Sequence, residues 1–135
     1  MSRMPMPRDL ARIARWAALL ALGVAQVAPL AAQPVAPAPG FRCAEARSVT
    51  ERLVCASPLL ALADGQLAQL YRQAQQATPE RDALRSDQLA WLKRRDADCI
   101  GQRTLAQARD ESGVYACLLD RYATRQRALR DIAQP

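Results

Sequence analysis

The chain contains no histidine and a single lysine, Lys93. Without histidine there are no Ser-His or Cys-His nucleophile pairs. The usual general base near neutral pH and the commonest zinc ligand are missing too. Carboxylates remain for acid–base work, but no two stand out as a pair. A four-cysteine zinc site needs two close knuckles, whereas the cysteines stand far apart at 43, 55, 99 and 117. No metal, no cofactor and no enzymatic activity are therefore expected. The scarcity of lysine beside many arginines fits coding bias as well as arginine-specific recognition. Strand-like alternation of apolar and polar residues is also missing, which points to an all-α protein.

A net charge of +6 suggests nucleic acid or a membrane surface as partner. Half of that charge sits in residues 1–32, where Arg3, Arg8, Arg12 and Arg15 face only Asp9. The remainder holds 15 basic and 12 acidic side chains with interspersed signs. Asp96 and Asp98 follow Lys93, Arg94 and Arg95 at once and weaken any phosphate-binding patch. Nucleic acid is not an expected partner.

Those four arginines, an apolar stretch from Trp16 to Ala25, and the small residues Ala31 and Ala32 have the order of an export signal over residues 1–32. An uncleaved membrane anchor is the alternative. However, the run from Trp16 to Ala32 is barely long enough to span a bilayer and is interrupted by Gln26 and Pro29. Cleavage would leave no stable membrane anchor and a periplasmic or secreted protein. Residues 33–40, rich in proline and alanine, read as an extended linker, and the domain proper as 41–133. A domain of roughly ninety residues has a modest core, so covalent staples are expected.

Four helical stretches carry start signals. Ser48 with Glu51 fits a capping box for a short helix ending near Cys55 and Ala56. Ser57 and Pro58 open a second helix running to about Ala77, striped by Leu60, Ala63, Leu67, Leu70, Tyr71 and Ala74. Gly65 weakens that helix slightly. Thr78 and Pro79 suggest a third helix over about 79–98, with Leu84, Trp91 and Leu92 facing inward. Residues 100–113 read as a loop with one helical turn. A fourth helix, about 113–132, aligns Leu118, Tyr122, Leu129 and Ile132 or Ala133. The expected fold is a small bundle of one short and three longer helices, with Tyr71, Trp91 and Tyr122 as core aromatics. In an oxidising compartment four thiols pair. Of the three connectivities, local pairing of Cys43 with Cys55 and Cys99 with Cys117 is preferred: the first bridge would fold the entry segment back along the first helix, and the second would close the loop between the third and fourth helices.

Polar residues interrupt these stripes. Asp64 falls on the second helix's apolar face, Gln88 and Arg95 on the third's, and Arg125 on the fourth's. Buried charge must be paired, so a structural network is expected in which Asp64 accepts from Arg125 or Arg95, with Gln88 as a further partner.

The cysteine frame and its surroundings resemble the N-terminal domain of LprI-type lysozyme inhibitors, a family of small exported bacterial proteins. The likeness runs through Phe41, Cys43, Glu51, Leu53, Cys55, Ser57 and Pro58, then Leu60, Asp64, Leu67 and Tyr71. It continues through Gln88, Trp91, Leu92, Arg95, Asp96 and Cys99, and closes on Cys117, Leu118, Tyr122 and Arg125. It covers about 41–132 and implies a disulfide-held helical domain. The stretch between Cys99 and Cys117 is longer than the family leads one to expect. The namesake's lipid-attachment cysteine is absent, which implies a soluble periplasmic protein. In function it implies a non-enzymatic binding module whose protein partner is lysozyme or a related cell-wall hydrolase. Host-type lysozymes are strongly basic, so an inhibitor is expected to be acidic. The mildly basic domain offers Glu80, Asp82 and Asp87 of the third helix as its local acidic set. The alternative is a structural or adaptor protein of the envelope that binds another protein through a helical face.

Overall fold

A computed structural model of the chain describes residues 36–134; the expected signal and the first linker residues lie outside them. After a 3-10 turn at Cys43–Glu45, five helices follow: α1 (Val49–Ala56), α2 (Pro58–Ala77), α3 (Arg81–Cys99), α4 (Leu105–Asp110) and α5 (Ser112–Ala133). No strand occurs among the described residues, and the domain is an all-α bundle.

Local chemistry sets the boundaries. The Glu51 N–H donates to Ser48 Oγ at 3.1 Å, and the Ser48 N–H donates back to Glu51 Oε2 at 2.9 Å, so the capping box opening α1 is complete. Ser57 then serves two helices. Its N–H closes α1 on the Leu53 carbonyl at 3.0 Å, while its hydroxyl accepts from the Leu60 N–H at 3.4 Å to start α2. With Pro58 in the first turn of α2, the chain bends by 111° across this single residue.

Two sequence expectations shift. Helix α3 starts at Arg81 rather than 79, because Thr78 ends α2 instead of opening α3. Its N–H bonds the Ala74 carbonyl at 3.0 Å, and its hydroxyl accepts from the Glu80 N–H at 3.1 Å within a turn. The single turn expected in 100–113 is a six-residue helix, α4. Gly101, at φ 58°, supplies the left-handed residue after α3. Thr104 and Gln107 then form a second capping box, with bonds of 3.3 and 2.9 Å. Fully buried Ala108 seats α4 in the core.

One buried cluster joins Leu53 and Val54 of α1, Leu60, Leu67 and Ala74 of α2, Leu84 and Trp91 of α3, and Val114, Leu118, Tyr122 and Leu129 of α5. The main interface is α2 along α5; α3 also packs on α5 but scarcely meets α2. The disulfides link Cys43 to Cys55 and Cys99 to Cys117, with Cα–Cα distances of 5.8 and 5.6 Å, both ordinary for such bonds.

The end of the linker is not a free spacer. A Cβ on Gly65 would lie 2.3 Å from the Ala38 carbonyl oxygen, and one on Gly40 would lie 2.4 Å from Ala68 Cβ. Both glycines are needed because residues 38–40 cross α2 at van der Waals contact, as a strap. The helix penalty of Gly65 thus has a packing cause. No single described helix is long and apolar enough to cross a membrane.

A candidate binding cleft between α2 and α3

Because α3 leans on α5 and away from α2, the two helices leave a half-open cleft of about 350 Å³ between them. Its walls are Phe41 just after the strap, Val54 of α1, Leu67 and Tyr71 of α2, and Leu89 and Leu92 of α3. Tyr122 of α5 reaches it from below.

The polar groups at its base lock the elements together. The Tyr122 hydroxyl donates to Asp64 Oδ1 at 2.7 Å and accepts from Arg95 Nη1 at 3.0 Å. Asp64 Oδ2 takes the Gly40 N–H at 2.8 Å, which ties down the strap. Arg95 grips Asp96 Oδ1 through Nε and Nη2 at 2.8 and 2.7 Å, and that oxygen also accepts from Thr50 Oγ1 at 2.8 Å. The Arg95 guanidinium carbon lies 5.3 Å from the Trp91 ring centre and 5.5 Å from that of Tyr122. The two rings meet edge to face at 5.9 Å. Burial pushes the Tyr122 phenol well above its ordinary pKa against the opposing pull of Arg95, with Asp64 adding to the rise, so it stays a neutral donor.

A second cluster lies farther along α3. Arg125 Nε donates to Gln88 Oε1 at 2.8 Å, and Arg125 Nη1 pairs with Asp87 Oδ2 at 2.6 Å. Arg125 Nη2 is buried without a partner among the described residues. Beside it, Gln126 Nε2 bonds the Ala63 carbonyl at 2.8 Å, joining α5 to α2.

The structure therefore places the four predicted polar residues in two clusters rather than one. Asp64 and Arg95 meet only through the Tyr122 hydroxyl, and Gln88 and Arg125 pair with each other. Neither arginine bonds Asp64. Tyr71 is half-buried on the cleft wall, where its hydroxyl accepts from Gln75 Nε2 at 3.0 Å. Sequence reasoning gives Thr50 and Gly40 no role, reads Asp96 only as blunting a basic patch and as part of the family likeness, and reads Gly65 only as a weak point of its helix. A threonine inside the short apolar turn of α1 was the one available signal for the first of these.

The carboxylates of the cleft are engaged in holding the fold. Glu51, on the cleft lining, accepts from the Ser48 and Arg47 backbone N–H groups, and these bonds hold its pKa below the usual carboxylate range. Among the described residues no three His, Cys, Asp or Glu side chains cluster as a metal site would require.

Apolar walls over a hydrogen-bonded polar base, in a fold braced by two disulfides, suit a small helical binding domain. Residues 43–129 match the family described as Lysozyme inhibitor LprI, and the chain belongs to that family. No curated protein and no solved structure matches it significantly. Membership gives the domain an inhibitor-like, protein-binding role, and with the two disulfides it points to an exported protein.

Proposed function

We propose that this domain is a periplasmic or secreted, non-enzymatic module that binds and inhibits a lysozyme or a related cell-wall hydrolase. The family match across residues 43–129 carries this reading. The scaffold suits the role, since two staples and a hydrogen-bonded base leave little conformational freedom to lose on binding.

Surface charge shapes how such binding would work. Asp87 of the acidic set on α3 is occupied by Arg125, with Arg94 at 3.9 Å. Asp98 pairs with Arg121, Glu111 with Arg103 and Glu45 with Arg42. Glu80 and Asp82 of that set make no ion pair among the described residues, but with 15 basic against 12 acidic side chains after residue 32 the domain as a whole has little long-range pull on a basic enzyme. Affinity must then come from shape and apolar contact, and should depend weakly on salt.

Purified oxidised protein added in excess to lysozymes of several types digesting cell walls should slow at least one of them, at low and moderate salt alike. Unchanged rates for every type would discard the inhibitor reading. They would favour an envelope adaptor, a second reading supported by Leu59 and Leu62, which stand 65% and 44% exposed on α2.

A further inference from the structure

We propose that the cleft between α2 and α3 binds a single-chain amphiphile with a carboxylate head, that is, a free fatty acid. The inference is independent of the inhibitor reading and starts from one side chain. Gln88 is only 8% exposed. Its amide orientation is fixed, because Arg125 Nε–H needs an acceptor and takes Gln88 Oε1 at 2.8 Å. The Gln88 NH2 group is thereby turned away from Arg125, and it has no hydrogen-bond partner among the described residues. Gln88 lines the cleft. Among the described residues the one buried side-chain atom without a partner is Arg125 Nη2, so the Gln88 amide nitrogen is accessible, and a donor that opens on an apolar recess is free to take an acceptor brought by a ligand.

Arg85 indicates which ligand. It stands three positions before Gln88 on α3, hence on the same helix face, and it also lines the cleft. It makes no ion pair or hydrogen bond among the described residues. The other charged groups of the lining are engaged: Glu51 by backbone N–H groups, Asp64 by Tyr122 and Gly40, and Arg95 by Asp96 and Tyr122. The polar capacity left over is thus a cation and an amide donor side by side, with the Tyr71 O–H as a further donor on the opposite wall, which suits a carboxylate.

The rest of the cleft suits an alkyl chain. Phe41, Val54, Leu67 and Leu92 offer only apolar surface, and about 350 Å³ lies at the small end of ligand sites. That is room for one acyl chain rather than a diacyl lipid. A cationic head would meet Arg85, and an uncharged alcohol would forgo the charge-assisted bond.

Calorimetric titration of the oxidised protein with decanoate, decanol and decyltrimethylammonium, each below its micelle concentration, tests this. Decanoate should bind saturably at one site and shift the Gln88 side-chain amide resonances. Decanol should bind about tenfold more weakly, the value of one charge-assisted bond, and the ammonium compound should not bind. Arg85 is exposed, so Arg85→Gln should leave the fold intact, weaken decanoate about tenfold and leave decanol unchanged. Gln88→Glu keeps the acceptor for Arg125, removes the donor and should act in the same direction. Equal affinity for decanoate and decanol, an unaltered Arg85→Gln variant, shifts clustered away from Gln88, or no saturable binding would each overturn the proposal. Lysozyme inhibition, present or absent, does not bear on the result.

Discussion

Helix α2 has two long neighbours and meets them differently. Against α5 it is zipped by burial: Leu60, Leu67 and Ala74 join Leu118, Tyr122 and Leu129 in a cluster with almost no exposed surface. Toward α3 it is open, and the apolar residues there, Leu89 and Leu92, remain exposed or half-exposed. Leu84 and Trp91 bury α3 against the core, and directed links fix its position: Arg95 to Tyr122, Asp96 to Thr50, Gln88 to Arg125 and Cys99 to Cys117. Burial is non-directional and closes space, whereas hydrogen bonds and disulfides fix distance and can keep space open. A cleft therefore persists on one side of α2 and a core on the other.

The contrast should be largest in side-chain truncations. Leu118→Ala should cost about 2–5 kcal/mol, as for a fully buried leucine. Leu89→Ala, removing a side chain 53% exposed on the cleft wall, should cost less than about 0.5 kcal/mol. Equal losses in urea unfolding would mean that the cleft is packed shut in solution. Next come the staples. Replacing Cys99 and Cys117 together by serine should cost about 3 kcal/mol through the freed loop, and the same holds for Cys43 and Cys55. Only the second pair anchors the strap, so only its loss should speed hydrogen exchange at the Gly40 amide.

A smaller effect separates the two tyrosine hydroxyls. Tyr122→Phe strips Asp64 and Arg95 of their shared partner and should cost about 1–3 kcal/mol. Tyr71→Phe, losing one bond from Gln75 at a half-buried site, should cost under about 1 kcal/mol. Similar melting temperatures for the two variants would remove the special standing of the Tyr122 cluster. The smallest effect is one of pH. The carboxyl of Glu51 titrates lower in the folded chain than in the unfolded one, so the unfolded chain binds its proton first as pH falls. Its contribution is present above the ordinary carboxylate pKa and is lost as pH drops through the lowered one. Glu51→Gln should flatten that part of the acid limb of melting temperature against pH; an unchanged limb would assign it to other carboxylates.

Much of this fold is legible in the residues because helix starts are local chemistry. Ser48 with Glu51 and Ser57 with Pro58 announce α1 and α2, and the stripe through Leu60, Leu67 and Ala74 shows which face goes inward. Thr78 misleads because one threonine can end a helix as readily as begin one, and the choice depends on where its N–H is used. The polar residues were found by their place on the stripes, but position on a face does not fix reach. Asp64 meets Tyr122, the residue that sequence pattern places in the apolar core, and reaches Arg95 only through that hydroxyl. The strap was hidden for a different reason. Proline and alanine promise no contacts, and only the pair Gly40 and Gly65, far apart in sequence, reveals that two backbones touch.

Each sulfur bridge joins cysteines that are next to one another in chain order. A polypeptide threading out of a channel amino end first presents Cys43 and Cys55 while Cys99 is still inside. The first bond can close before any rival thiol emerges, and the last two cysteines then have only each other. For an exported chain, delivery in that order would favour the connectivity seen here.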